Sequence, residues 1–200
     1  MKISKEMLDM HLKSHTKRSE EDCAAVSVLS TFLRSSGRLN NDFKSNDKWP
    51  NTDGNFELVI NPEESRLPAQ NFVVQIKGTT EGYEEEGDKI KYRLQSLAFP
   101  AYIYSNVTAD PGILFLVLNP TRRGKERVFW KYMSEDFLAS VDYCKTSVEL
   151  TFTARDEILN TYDSVNAFCK KLEKVINHHM FAKKLEGIFF GRSQTHNYTL

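Results

Sequence analysis

The sequence predicts a mixed α/β fold, in which a central mixed sheet is flanked by helices. Three observations indicate this fold. Several segments of strand length are strongly apolar, or they alternate apolar and polar residues. Segments with helical periodicity stand before and between them without strict alternation, which favours a sheet with both parallel and antiparallel strands. A long amphipathic pattern follows the last strand, which predicts a long C-terminal helix.

The first elements are predicted to be helical. Residues 1–18 are polar and basic with interspersed apolar side chains, and we expect a short helix or a loose arm there. Ser19 is a typical N-cap residue, and Asp22 stands three positions later, as in a capping box. Gly37 is a plausible C-cap of this helix. Between them, apolar residues at positions 25, 28, 29, 32 and 33 follow helical spacing.

Strand patterns dominate the next part of the chain. Residues 38–54 predict a loop or a short strand. Residues 55–60 and 71–77 predict two strands, because apolar side chains alternate in them and turn-forming residues bound them. The connecting residues 61–70 predict a turn rich in Pro and Glu, and the acidic residues 78–89 predict a long loop.

The second half of the chain predicts further strands and helices. Residues 92–105 mix helical spacing with a break at Pro100, and the almost wholly apolar strand 112–119 should be buried on both faces. Apolar residues then recur at helical spacing from Asp156 to about Leu185, predicting one helix that docks on the core or on a partner chain. Its stripe comprises Ile158, Tyr162, Val165, Cys169, Leu172 and Ile176. The other predicted elements are strands over 127–133 and 146–153 and a short helix over 134–141.

Composition excludes several function classes. Basic and acidic residues balance at 27 each, which argues against coating nucleic acid through bulk positive charge. The three cysteines form neither a CxxC pair nor a zinc-binding spacing. With no signal-peptide pattern, we expect a cytoplasmic protein in a reducing compartment. No apolar run approaches the ~20 residues of a membrane helix, so we expect no membrane partner.

The strand "NFVVQIKGTT" carries two polar residues on one face. Gln75 and Lys77 are two positions apart, and side chains two apart on a strand share a face. Asp53 lies where a loop enters the preceding strand, and a hairpin-like return would bring it beside Gln75. Carboxylate and amide oxygens are ligands that Mg²⁺ accepts, and a nearby lysine can position a water or hold phosphate charge.

These residues resemble the PD-(D/E)XK nuclease superfamily, in the variant where glutamine replaces the second acid. Asp53 matches the first acid, and "QIK" matches the acid-x-Lys element. The succession of "NDKWPNTDGNFELV", "FVVQIKGTT", "FPAYIYSNV", "GILFLVLNP" and "RVFWKYMS" is similar to a branch of unknown function, found at the N-terminus of prokaryotic antiphage defence proteins. The resemblance covers about residues 20–135 and implies a restriction-endonuclease-like core.

The resemblance also implies an activity and its residues. The expected function is a DNA endonuclease domain, with Mg²⁺ or Mn²⁺ held by Asp53 and Gln75 and with Lys77 in a catalytic role. Family members often add a glutamate from the first helix, for which Glu21 is the candidate; its alternative role is to complement the helix dipole. Glu57 shares a face with Asp53 and is a further candidate, or simply an exposed strand residue.

We expect the following organisation and partners: an N-terminal arm over 1–18, a nuclease-like core over 19–153, and a C-terminal helix with a linker or tail over 154–200. The branch implies a homo-oligomer and fusion to an NTPase-containing sensor. Two alternatives stand beside the nuclease. One is a catalytically inactive scaffold of the same fold for oligomerisation or nucleic-acid binding, and the other is an α/β interaction module in which "QIK" is accidental.

Two further patterns have a functional and a plain interpretation. A second acid-x-Lys match, Asp42 and Lys44, lacks an alternating apolar strand around it. A basic turn binds phosphate or is a solvated hairpin turn. Its cations are Arg122, Arg123, Lys125 and Arg127.

Overall fold

The computed structural model describes residues 4–12, 19–43, 51–59, 70–105 and 110–193, with side chains described as far as His179. A six-stranded mixed sheet has the order β1-β2-β3-β6-β7-β9, and a three-stranded antiparallel sheet has the order β4-β5-β8. The strands are β1 (Leu39–Phe43), β2 (Gly54–Leu58), β3 (Gln70–Thr79), β4 (Tyr83–Glu86), β5 (Lys89–Leu94), β6 (Gly112–Leu118), β7 (Arg127–Tyr132), β8 (Val148–Thr153) and β9 (Glu157–Ile158). The helices are α1 (Lys5–Asp9), α2 (Glu20–Arg34), α3 (Ala98–Ser105), α4 (Glu135–Ser140) and α5 (Tyr162–Ser193).

The predicted mixed sheet is confirmed. Strands β3 and β6 run parallel, whereas the other neighbours in the large sheet run antiparallel. The all-apolar β6 is buried along its whole length, because successive side chains enter two different cores. One core lies between the sheet and α2 and α5, and the other lies under α3, α4 and the small sheet. The strand is therefore buried on both faces, as its composition predicts.

The helix predicted after Ser19 is also present. The Ser19 hydroxyl accepts a hydrogen bond from the Asp22 amide at 3.1 Å, which is the predicted N-cap contact. The helix ends at Arg34 with Ser35 as its C-cap, so the C-cap predicted at Gly37 is wrong; Gly37 follows with a φ of 65°. Its apolar row packs into the first core through Ala25, Val26, Leu29 and Leu33.

The long helix docks on the core, as its stripe predicts, but it begins later. Val165, Leu172 and Ile176 are buried against the sheet. Residues 154–158 form a 3₁₀ turn followed by β9, so Ile158 is a strand residue. Tyr162, a member of the predicted stripe, is 59% exposed at the start of the helix and is not part of the buried stripe. The prediction of a helix from Asp156 is therefore wrong at its first turn.

Two further sequence predictions are corrected by the structure. The acidic segment 78–89 was expected to be a loop, but it contains the end of β3 and the strand Tyr83–Glu86, which pairs with β5. Its polar side chains are exposed, and the strand has no alternating apolar signal to predict it. In the segment expected to be helical with a Pro break, Pro100 lies in the first turn of α3, where its missing N–H costs little.

The N-terminal residues include a short packed helix. Ser4 caps α1, and Leu8 is buried in a small third core with Leu97, Ala101 and Tyr143. The His11 ring contacts the main-chain oxygen of Tyr143 at 2.8 Å. Of the two outcomes expected for residues 1–18, the helix is present over Lys5–Asp9. No helix in the described part of the chain combines the length and apolarity that crossing a bilayer requires.

Candidate functional site

Asp53 enters the sheet directly before a position that only glycine can occupy. Gly54 has a φ of 128°, and a Cβ at that position would lie 2.2 Å from the main-chain oxygen of Asp42 on β1. The Asp53 amide donates to the Val74 oxygen at 2.7 Å, which starts the β2–β3 ladder. The "TDG" sequence thus fixes Asp53 opposite β3, because the close approach of β1 excludes any side chain at Gly54.

The Asp53 carboxylate meets Gln75, as the sequence predicts. Its Oδ2 accepts hydrogen bonds from the Gln75 side-chain amide and from the Ile76 main-chain N–H, the latter at 2.6 Å. Asp53 is 0% exposed and Gln75 is 7% exposed. A carboxylate taken this far from water needs such donors, because an unsatisfied buried charge is strongly unfavourable.

Lys77 lies on the same face of β3 as Gln75. Phe72, Val74 and Ile76 enter the first core, so the alternating residues Gln75 and Lys77 point to the other side of the sheet. Lys77 is only partly buried. The structure therefore brings Asp53 to Gln75 and places Lys77, which is more accessible than either, on the Gln75 face of β3.

The other two predicted acids lie elsewhere: Glu21 is on α2 and Glu57 is on β2. The Glu21 carboxylate accepts a hydrogen bond from the Thr80 N–H at 3.1 Å, beyond the end of β3. Glu57 is exposed on β2, where its partner is Asn71. It is four residues past Asp53, which corresponds to roughly 13 Å along a strand. Within the described part of the chain, neither acid contacts Asp53 or Gln75.

Asp53 is more deeply buried than a carboxylate that meets a substrate in an open cleft. Its side chain has no exposed surface. Three cavities lined by described residues lie elsewhere and do not include Asp53, Gln75 or Lys77. In the second acid-x-Lys match, Asp42 lies on the edge strand β1, and Lys44 falls outside the described residues.

The donor set is compatible with a hard cation. The Gln75 amide nitrogen is hydrogen-bonded to Asp53 Oδ2 and lies 3.5 Å from the Ile76 carbonyl oxygen. Half a turn of the amide about its terminal bond, a soft torsion, would bring its own oxygen to this point. One carboxylate, one amide and one main-chain oxygen fit Mg²⁺, which keeps several waters. Across the described residues, no three His, Cys, Asp or Glu side chains form a metal-binding group.

Asp22 and Tyr92 lie near the Gly78 end of β3, and the sequence did not identify them as neighbours of this strand. Asp22 is 8% exposed, and its Oδ1 accepts a hydrogen bond from the Gly78 N–H at 3.3 Å. Burial raises the pKa of Tyr92 to about 12, and the negative charges of Asp22 and Glu21 add to this shift. The polar start of α2 thus faces β3 and Tyr92. Asp22 was assigned only as a capping residue, since sequence spacing cannot distinguish a cap from a contact between elements.

The predicted basic turn divides into two kinds of residue. Arg127 binds Glu157 through two nitrogens, at 2.8 and 3.1 Å, and it also reaches Glu85 at 3.4 Å. The hydrogen bond to Glu157 raises the pKa of Arg127 above its usual value, despite the opposing effect of partial burial. Arg122, Arg123 and Lys125 are exposed.

Comparison with protein-family models, with curated proteins and with solved structures finds no match to this chain.

Proposed function

We propose that the chain is a Mg²⁺-dependent DNA endonuclease domain with a restriction-endonuclease-like core. The contact between the Asp53 carboxylate and the Gln75 amide carries the proposal. It joins residues 22 positions apart, at the two places where the resemblance to the PD-(D/E)XK superfamily requires an acid and its partner. The mixed sheet flanked by helices supports the same assignment, although a fold alone does not determine an activity.

Each residue of the proposed site has a distinct role. Asp53 and Gln75 would hold the cation, with the Ile76 carbonyl beside them. When bound, Mg²⁺ supplies polarisation of a phosphoryl oxygen and a water of lowered pKa. Lys77 stabilises the negative charge that develops on the scissile phosphate, and it orients the attacking water. Glu21, whose carboxylate accepts a hydrogen bond from the Thr80 N–H, stays a predicted further member of the site.

The biological setting follows from the resemblance and from the charge balance. A net charge of zero supports only modest affinity for DNA, so a partner that clusters the domain would raise its effective affinity. An antiphage defence protein with an NTPase-containing sensor would provide such clustering. The domain would then act as a cytoplasmic effector that degrades DNA when its sensor assembles.

An inactive scaffold of the same fold is the second candidate function. One observation favours it: the Asp53 carboxylate is fully buried and its Oδ2 already accepts two hydrogen bonds from the chain. A carboxylate in that state can serve purely to hold β2 against β3. The two functions differ in metal binding, because a scaffold is not expected to bind a cation at Asp53.

Plasmid nicking by the purified chain, held in clusters by an artificial oligomer, tests the proposal. We expect cleavage in Mg²⁺ or Mn²⁺ and none in EDTA. Asp53→Asn and Lys77→Ala should each reduce the rate on the order of 10²–10³-fold, the usual effect of removing one transition-state contact. Gln75→Glu should keep or raise activity, because it adds a second acid to the site. Lys89→Ala, at an exposed position of β5, is the matched control for loss of one positive charge.

Thermal unfolding with added Mg²⁺ separates the two functions. A cation at 100 times its dissociation constant stabilises the folded state by about 2.7 kcal/mol. We expect this stabilisation in the wild type and in Lys77→Ala, and its loss in Asp53→Asn. Cleavage that survives Asp53→Asn or EDTA contradicts the proposed site. Absence of both cleavage and Mg²⁺ stabilisation favours the scaffold.

A further inference from the structure

The turn between β6 and β7 presents three positive charges to solvent. Arg122, Arg123 and Lys125 are exposed, and Glu126 is half-buried at the end of the turn. Within the described residues, no ion pair joins any of the three cations to an acid. The charges are therefore available to a partner from outside the chain.

This turn has a defined shape. The Arg122 N–H donates to the Asn119 oxygen and the Lys125 N–H donates to the Arg122 oxygen, both at 3.0 Å. Asn119 and Gly124 have φ values of 52° and 78°, the left-handed conformation that these two residue types tolerate best. A turn held this way loses less freedom on binding than a disordered basic segment would.

The turn is anchored to the strand that carries the proposed site. The Asn119 N–H donates to the Thr79 oxygen at 2.8 Å, so the turn begins beside the last residue of β3. Thr79 is four residues past Gln75, which is roughly 13 Å along a strand. Successive phosphates of one DNA strand advance about 3.4 Å along the helix axis, so the start of the turn lies about four nucleotides from Gln75 and the cations follow it.

Neighbouring charges restrict which residues can take part. Arg127 is neutralised by Glu157 and held in place, so it serves the fold rather than a ligand. Glu84, Glu85 and Glu86 are exposed on β4; Glu85 reaches Arg127, and Glu86 forms an ion pair with Lys91. The negative charge of Glu84 repels phosphate, whereas the charges of Glu85 and Glu86 are partly offset by these cations. A nucleic-acid strand near this end of the sheet is therefore directed over the turn and away from the β4–β5 hairpin.

We propose that Arg122, Arg123 and Lys125 bind the phosphate backbone of DNA several nucleotides from the cleaved bond. The position relative to that bond rests on the proposed function, whereas the charge and the rigidity of the turn do not. Contacts of this kind fix the position of a duplex without reading its sequence. In a chain with no net charge, they would supply much of the affinity for DNA.

Fluorescence anisotropy with a labelled DNA duplex in EDTA tests the turn without any cleavage. The variant carries Arg122→Ala, Arg123→Ala and Lys125→Ala. The matched control carries Lys145→Ala, Lys170→Ala and Lys174→Ala, which removes the same charge from exposed positions elsewhere. Each phosphate contact contributes about one unit to the slope of log affinity against log salt. We expect the turn variant to lose about three units of slope and to bind at least tenfold more weakly at 50 mM salt, with the control close to wild type.

The possible results separate this inference from the proposed activity. Equal DNA binding by the turn variant and the wild type overturns the inference, even if Asp53→Asn abolishes cleavage. Loss of DNA binding in the turn variant supports the inference, even if no variant cleaves DNA. Failure of the wild type to bind the duplex at any salt concentration overturns it. So does binding to phosphatidylserine vesicles, lost in the turn variant, without binding to DNA.

Discussion

At the scale of single residues, Asp53 serves the fold and the proposed site through the same atoms. Its Oδ2 accepts hydrogen bonds from the Ile76 N–H and the Gln75 amide, and these bonds join two strands of the large sheet. A fully buried carboxylate is tolerated only with such donors. Substitution of Asp53 therefore changes stability as well as any metal site, and the two effects must be measured separately.

We predict that Asp53→Ala destabilises the fold even in metal-free buffer. Its removal leaves the Ile76 N–H and the Gln75 amide without this acceptor, and an unsatisfied buried donor costs about 1–3 kcal/mol. Asp53→Asn keeps one acceptor oxygen and should cost less. Urea unfolding in EDTA measures the difference. Asp9→Ala, at an exposed position of α1, is the control and should change stability by less than about 0.5 kcal/mol. Equal stability of the Ala variant and the wild type would refute this role.

The sequence could predict which residues meet, but not how deeply they lie. Period-two alternation and a hairpin return were enough to bring Asp53 to Gln75 and to put Lys77 on the same face. The burial of Asp53 depends on the approach of β1 to Gly54. That approach joins segments through a pairing register that no local pattern contains. The Asp22 contact with Gly78 escaped prediction for the same reason.

At the scale of elements, α2 and β3 are held together where each presents a polar end. The main-chain N–H groups of Gly78 and Thr80 donate to the carboxylates of Asp22 and Glu21. A Cβ at Gly78 would lie 2.4 Å from the Glu21 main-chain oxygen and 2.9 Å from the Ala25 Cβ. Glycine thus allows α2 to lie directly on the strand that carries Gln75 and Lys77.

We predict that Gly78→Ala destabilises the protein by about 1–3 kcal/mol, because the obstructing atoms belong to the backbone of α2 and cannot rotate away. Gly112→Ala is the informative comparison. The three atoms nearest to its Cβ would all belong to the Ile103 side chain, the first at 2.7 Å, and that side chain can change rotamer. The free energy of unfolding should therefore fall further for Gly78→Ala. A larger loss of unfolding free energy in Gly112→Ala than in Gly78→Ala would mean that α2 shifts easily relative to β3.

Local patterns predicted some elements well and missed others for physical reasons. Every residue of β6 is apolar, and α5 has an apolar residue in nearly every turn, so both sequences indicate burial directly. The hairpin of β4 and β5 has no such signal on its first strand, whose residues are mostly acidic and exposed. The hairpin is held by the pairing of β5 with β8, in which Ile90 lies opposite Phe152, a residue far along the sequence. Such long-range pairing overrides local propensity.

At the scale of the whole molecule, tyrosines that are at least partly buried make the stability depend on pH. Tyr92 on β5 packs against the second core, and Tyr132 on β7 packs against the first core. Burial raises the pKa of Tyr132 to about 12, with Glu135 adding to the shift, and burial likewise raises the pKa of Tyr92 to about 12. In the third core, burial raises the pKa of Tyr143 well above its usual value.

These shifts predict alkaline unfolding. A phenol whose pKa is raised from 10 to about 12 in the folded state stabilises the fold fully below pH 10, and the contribution is lost as the pH rises towards 12. Tyr92→Phe removes one such group, so stability should fall less steeply between pH 10 and 12. Urea unfolding across this range measures it, with Tyr162→Phe as the control, since Tyr162 is 59% exposed. A Tyr92→Phe curve parallel to that of Tyr162→Phe would show that the Tyr92 phenol ionises in the folded protein as readily as an exposed one.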